Sequence, residues 1–208
     1  MKSLKRAARL AAIVLSSLTI QAALAAPPAS SEDFTKRLMG RTPGKGKTFA
    51  CFTRAYDEAH LSAHSLQNVR AMKLLVKIDS EAGDSYDLVI GVNFRSRKSM
   101  FETEGDCASP HAEGESAAPA PAGPAGVHCA IACDGGAIDV ALKDNGSVLL
   151  TIPNGARVWK PGSIDPDENV HGAFGEDDKL FRLDRASLSQ CEPLGADKSE
   201  KAALAKGQ

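Results

Sequence analysis

The stretch that decides the fold is Gly126–Lys160, GVHCAIACDGGAIDVALKDNGSVLLTIPNGARVWK. Val127, Cys129, Ile131 and Cys133 alternate with smaller or polar residues. Ile138, Val140 and Leu142 do the same, then Val148, Leu150 and Ile152, and Val158 and Trp159 close the series. Period-two alternation is the mark of a strand with one face buried. The runs are separated by Asp134-Gly135, Asn145-Gly146 and Asn154-Gly155. Such steps suit tight turns, because Gly accepts positive φ freely and Asn or Asp better than most residues. Three in succession predict an antiparallel meander.

Upstream the same period continues. Met72, Leu74, Val76 and Ile78 alternate with Lys73, Leu75 and Lys77, and Tyr86, Leu88, Ile90, Val92 and Phe94 form a second alternating run. Asp79 to Asp84 is the hairpin between them, and Ser99 to Thr103 continues as a further strand after the basic turn Arg95-Ser-Arg-Lys98. Downstream, Lys179 to Asp184 is a last strand. About eight strands in up-and-down order predict a mainly β fold, an antiparallel meander closed into a small barrel or laid out as a two-sheet sandwich. One or two short helices precede it. The outline resembles small exported β-barrels that bind ligands or inhibit enzymes, a likeness of architecture alone.

Helical signals are confined to the N-terminal side. Ser30 or Ser31 suits the cap of a short helix through Met39, with Phe34 and Leu38 on one face and Gly40 just past its end. A second helical stripe, Phe52, Tyr56, Ala59, Ala63 and Leu66, predicts a helix over Phe52–Leu66 with Thr53 as its cap. Between them, Arg41 to Thr48 imitates a phosphate-binding loop. It fails because the place five residues before Gly46 is Arg41 and not Gly.

The chain has 208 residues, enough for one domain with a sizeable core. Residues 1–25 read as a signal peptide: Lys2, Lys5, Arg6 and Arg9 precede an apolar run, and Ala23-Leu24-Ala25 offers a cleavage site. Residues 26–47 are an arm carrying the first helix, 48–194 a single β-rich domain, and 195–208 an Ala- and Lys-rich flexible tail. Residues 108–126 are rich in Pro, Ala and Gly and read as a disordered insert between two strands. Removal of the leader takes 25 Lys and Arg to 21 against 26 Asp and Glu, a net charge of −5. That sign disfavours nucleic acid and anionic membrane surfaces as partners. No stable membrane span is expected after cleavage, and the destination is the periplasm or the exterior.

In an oxidising compartment the five cysteines, Cys51, Cys107, Cys129, Cys133 and Cys191, are disulfide candidates. Cys129 and Cys133 fall on one face of a predicted strand, roughly 13 Å apart at about 3.3 Å per residue, too far to pair with each other. They then reach different partners among Cys51, Cys107 and Cys191; the favoured pairing joins Cys107 to Cys129, closing the insert between them, and Cys133 to Cys191 or Cys51. A zinc site built on Cys129, Cys133 and His128 is the weaker reading, since the usual knuckle spacings are missing.

Two sets of residues have metal-ligating spacing. Asp165, Asp167, Asn169 and Glu176 occupy places 1, 3, 5 and 12 of a Ca²⁺ loop, although Val170 stands where that loop needs Gly. Asp57, His60 and His64 share one face of the second predicted helix, and His at i and i+4 suits a transition metal. No cofactor is expected beyond a Ca²⁺ ion at the first set. No nucleophile elbow, nucleotide fingerprint or redox Cys-x-x-Cys is present, although catalytic groups can converge from distant strands without such a motif. The function read from the sequence is a non-catalytic periplasmic binding module for a small molecule or an envelope protein. The alternatives are a metal-binding envelope protein and an envelope hydrolase.

Overall fold

The computed structural model describes residues 31–83, 85–108, 126–131, 134–144, 146–163 and 173–208. Eight strands run in sequence order around a closed antiparallel barrel: β1 (Lys47–Ala55), β2 (Val69–Asp79), β3 (Tyr86–Phe94), β4 (Met100–Cys107), β5 (Gly126–Ile131), β6 (Gly136–Leu142), β7 (Ser147–Thr151) and β8 (Leu180–Ala186). Helix α1 (Ser31–Met39) precedes β1, α2 (Glu58–Ala63) lies between β1 and β2, and a 3₁₀ segment (Leu188–Leu194) and α3 (Lys198–Lys206) follow β8. The barrel alternative is thus the one the chain adopts. The leader read over residues 1–25 lies outside the described residues, as does nearly all of the insert. No helix among the described residues is long and apolar enough to cross a membrane.

Alternation puts Phe52, Leu74, Ile90, Cys129, Val140, Leu150 and Leu183 inside, all fully buried in one apolar core. An eight-stranded barrel is just wide enough for side chains to fill. Helix α1 stoppers one mouth, where Phe34, Leu38 and Met39 join the core and Phe34 meets Tyr86 edge-on, with ring centroids 6.2 Å apart. Gly40 ends α1 at φ +74. There the Arg185 guanidinium donates to the Arg37 and Leu38 carbonyls at 2.7 and 3.0 Å while lying 4.6 Å over the Phe52 ring. A cation at a helix C-terminus satisfies carbonyls that have no partner within the helix. Burial holds the Arg185 guanidinium below its ordinary pKa.

The ladder is uneven. β1 and β2 pair over nine residues, as do β2 and β3, and β3 and β4 pair over eight. β4 meets β5 over three residues only, and β8 meets β1 over three. The barrel is therefore two four-stranded sheets joined at two narrow seams. Each seam carries a disulfide. Cys107 and Cys129 are register partners across the β4–β5 seam and are bonded to each other. Cys51 faces Ala186 across the β8–β1 seam and is bonded to Cys191, five residues beyond. The second bond corrects the expectation that Cys133 takes Cys191 or Cys51; Cys133 itself lies outside the described residues.

The C-terminal segment packs on the outer wall. Phe49, Leu75 and Val89 point outward yet are buried beneath Leu194 and Leu204. Gly91 leaves the room: a Cβ there would stand 2.7 Å from Met100 Sδ and 2.9 Å from Leu194 Cδ2. Helix α3 is capped by Asp197, which accepts from the Ser199 and Glu200 N–H groups, and ends at Gly207 with φ +74. Glu200, 5 % exposed, receives Lys47 Nζ at 2.6 Å, Lys77 Nζ at 3.4 Å and the Ala196 N–H at 2.9 Å. Instead of the flexible tail expected over 195–208, the chain forms a docked helix, because one buried carboxylate and Leu204 fasten an otherwise polar segment.

Two further expectations change. Phe52 lies in β1, pointing inward, and α2 begins only at Glu58, capped by Asp57 and not by Thr53. Both faces of β1 are covered, so its apolar residues run together and blur the period of two. Val158-Trp159 does not extend the meander after β7. Its backbone bridges Glu102 of β4, with N–H to O distances of 2.8 Å in both directions, within the part of β4 that β5 leaves unpaired.

Replacing Cys107 and Cys129 with Ser is expected to cost about 2–5 kcal/mol in urea unfolding. Amides at Gly105–Cys107 should lose hydrogen-exchange protection before those of β2 and β3. Uniform loss across the barrel would argue against a seam role. The Glu200 anchor makes an acid prediction. Burial alone would push its carboxyl up, but the Lys47 hydrogen bond, the Ala196 N–H and the Lys77 charge together hold it below its ordinary value. Its stabilisation is then full above the unfolded-state value and is lost as pH falls through the lower folded one. Between pH 7 and 3, wild type should lose stability that Glu200→Gln, already weaker at pH 7, does not lose again; parallel curves would remove the ionic anchor.

Candidate functional site

The mouth opposite α1 collects the α2 loop, the Arg95–Ser99 turn, the Asp134–Gly136 turn and the segments that border β7 and β8. Its organising group is Asp178, which is 1 % exposed. Its carboxylate accepts the N–H of Asn68 at 2.8 Å, of Gly175 at 2.7 Å and of Val69 at 3.2 Å. Burial pushes this carboxyl above its ordinary pKa, and the three N–H donors pull the other way. The result ties the loop before β8 to the start of β2. The approach is close enough that a Cβ on Gly175 would stand 1.8 Å from the Leu66 carbonyl oxygen, so only Gly fits. Phe174 then folds over the barrel mouth, edge-on to Phe94 with centroids 5.4 Å apart.

Beside Asp178 is a groove of about 430 Å³, bordered by Asp134, Arg157, Phe174, Glu176 and Lys179. One wall is the β5–β6 turn. Asp134 holds φ 55 there and Gly136 φ 106, whereas the sequence places the positive φ values at Asp134 and Gly135. The other wall is the segment after β7, tied across by the Arg157 N–H to the Gly135 carbonyl at 2.9 Å. The rim is mixed in charge, with an exposed Glu176–Lys179 pair at 3.5 Å. Leu66 and Leu180, 57 % and 59 % exposed, are the large apolar side chains most open to solvent among the described residues. A second cleft, of about 620 Å³, lies beside α1 at the other mouth, bordered by Asp33, Lys36, Thr42 and Tyr86.

Of the Ca²⁺-loop set, Asp165, Asp167 and Asn169 lie outside the described residues, and Glu176 sits on the groove rim. The second set is partly dispersed. Asp57 is the α2 cap and accepts the His60 N–H at 2.8 Å. His60 and His64 do come together, their rings stacked with centroids 4.4 Å apart, and Tyr56 stacks on the far side of His60 at 4.5 Å. Burial raises the pKa of the Tyr56 phenol. Among the described residues, no three His, Cys, Asp or Glu side chains gather closely enough to hold a metal. His128, named in the zinc reading, pairs with Asp139 across the β5–β6 wall at 2.7 Å, and Cys129 is spent in its disulfide.

The basic turn is also structural in part. Arg95 donates to the Leu61 and Gln67 carbonyls at 3.4 and 3.3 Å, and Arg97 lies 5.8 Å over the Phe101 ring. Asp178, Phe174 and Arg157 carried no sequence signal. Their partners are backbone groups and rings reached by folding, at no fixed spacing along the chain.

Asp178→Ala should cost about 2–4 kcal/mol, because one buried and two part-buried N–H groups lose their acceptor. Asp178→Asn, which keeps one oxygen, should cost less. Amide exchange at Asn68, Val69 and Gly175 reads the effect directly, and unchanged protection there would refute the role given to Asp178. No protein-family model, curated protein or solved structure matches this chain.

Proposed function

We propose that this protein is an exported, non-catalytic binding module that grips an envelope protein through the groove at the α2 mouth. The observation that carries this reading is the filled barrel. Its interior is occupied by its own apolar side chains, α1 stoppers one mouth, and Phe174 and Trp159 pack against the core near the other. Recognition then falls to the outer surface, which suits a protein surface better than a small molecule needing enclosure. The groove joins an aromatic ring, an Arg and a mixed-charge rim, the composition from which interface hot spots are drawn. The leader-like N-terminus and the two disulfides support an oxidising destination.

The non-catalytic part rests on how the groups at this mouth are used. Asp178 spends its oxygens on backbone donors, and Asp57 caps a helix. A general acid or base needs a free lone pair or proton within reach of substrate.

The test places a photo-crosslinking residue at Asn154 or Lys179 on the groove, and at Asp139 on the barrel wall as control, in extract of the source cells. One discrete protein should crosslink from both groove positions and not from the wall. Lys179→Glu should weaken capture at least about tenfold without changing the melting temperature. Equal crosslinking from all positions would overturn the assignment, as would a native mass spectrum showing a tightly held organic molecule.

A further inference from the structure

The α2 loop holds a polar arrangement that barrel closure does not need. Gln67, 4 % exposed, donates from Nε2 to the Val69 carbonyl at 2.7 Å. A carbonyl cannot donate, so the amide has only one orientation. Its Oε1 therefore faces His60 Nε2 at 3.0 Å and can only accept there. In its neutral form His60 therefore carries its proton on Nε2 and keeps the lone pair on Nδ1. The ring stacks on Tyr56 at an interplanar angle of 23° and on His64 at 29°, and the Gln67 bond and the partly buried Tyr56 hold its orientation.

The frame behind Gln67 is fastened as well. Its N–H donates to the His64 carbonyl at 3.0 Å, its own carbonyl receives Arg95, and the Val69 N–H is held by Asp178. A ligating histidine typically has one nitrogen on the metal and the other N–H on a fixed acceptor, an arrangement that sets the tautomer and raises ligand basicity. His60 has that acceptor in place. Four residues on, His64 is exposed; because the two rings are stacked face to face, its in-plane lone pairs reach a shared metal at the ~2.0 Å of a metal–imidazole bond only when His64 turns out of the stack, while Tyr56 and Gln67 keep His60 in place.

We propose that His60, through Nδ1, and His64 form a two-imidazole site for a first-row transition-metal dication, with water completing the coordination. Imidazole nitrogen selects Cu²⁺, Ni²⁺ or Zn²⁺ over Mg²⁺ or Ca²⁺, and Cu²⁺ should bind most tightly. Asp57 belongs to the frame and not to the ligand set. The site is independent of the groove reading and stands or falls by its own test.

The experiment titrates Zn²⁺, and separately Cu²⁺, into the oxidised protein carrying Cys133→Ser, so that the fifth thiol does not compete. One equivalent of Zn²⁺ should shift the His60 and His64 ring resonances and leave those of His128 in place. Cu²⁺ should show nitrogen hyperfine splitting in its electron paramagnetic spectrum. His60→Ala and His64→Ala should each weaken binding at least about tenfold, and His128→Asn should not. Gln67→Leu, which releases the tautomer, should weaken binding about 10–100-fold, while Gln67→Glu, which keeps the acceptor, should retain it. The proposal is overturned if millimolar Zn²⁺ leaves both rings unmoved. It is equally overturned if binding survives His64→Ala, or if Gln67→Glu binds no better than a folded Gln67→Leu.

Discussion

Closure of the barrel at two seams of three residue pairs is the constraint on which the rest of this structure depends. Within the halves, β2–β3, β3–β4, β5–β6 and β6–β7 follow one another through short turns that make their pairing local, and register is set by alternation. Between the halves nothing local helps, since β1 and β8 are the ends of the chain's meander and β4 and β5 flank the long insert. An unclosed half would present two edge strands, each a template for pairing with another molecule. Both disulfides fall where pairing is thinnest, and the bridge from Trp159 to Glu102 adds one further pairing to the β4 edge. Cross-links stabilise most where a long loop must otherwise be closed, and the Cys51–Cys191 bond spans 140 residues.

Once the barrel is closed, three buried or half-buried charged groups attach the remaining parts to it. Arg185 ties the end of α1 to the first mouth, Glu200 ties α3 to the outer wall, and Asp178 ties the α2 loop to the second mouth. Each is satisfied by specific partners, as a charge removed from water must be. Their partners, backbone carbonyls for Arg185, lysine side chains and a backbone N–H for Glu200 and backbone N–H groups for Asp178, fix polypeptide segments in place. The proposed recognition would fall on the outer surface, and in particular on the second mouth, where loops and a groove meet.

The sheet was legible because one physical signal governed it. Alternation of apolar residues with turn dipeptides over 127–152 and 72–94 reports inward-facing positions, and those residues are the core. The signal failed wherever a strand was covered on both faces. β1 buries Phe49 and Cys51 outward as well as Ala50 and Phe52 inward, and its neighbour Tyr56 completed a false helical stripe. The docking of α3 was illegible for a different reason: a Lys- and Ala-rich segment has little apolar face, and its fastening through Glu200 depends on Lys47 and Lys77, more than 120 residues away. Of the candidate site, the spacing of His60 and His64 could be read. Gln67, which gives that pair its chemical meaning, could not, because its role depends on which way one amide faces.

The α2 loop is where fold and function separate most clearly. Only Leu61 of the helix is buried, so apolar packing does little to hold it. Its position comes instead from the Asp57 cap, from Arg95 reaching the Leu61 carbonyl, and from Gln67. A connection between antiparallel neighbours needs only a few residues, yet the chain spends 56–68 here and orders them through polar bonds. Fixing that many backbone angles costs conformational entropy that one buried leucine does not offset. Departures of this kind from the minimum needed to fold gather at places that do something else. Here that order holds His60 against Tyr56 and fixes its tautomer through a buried amide, which is what the proposed metal site requires.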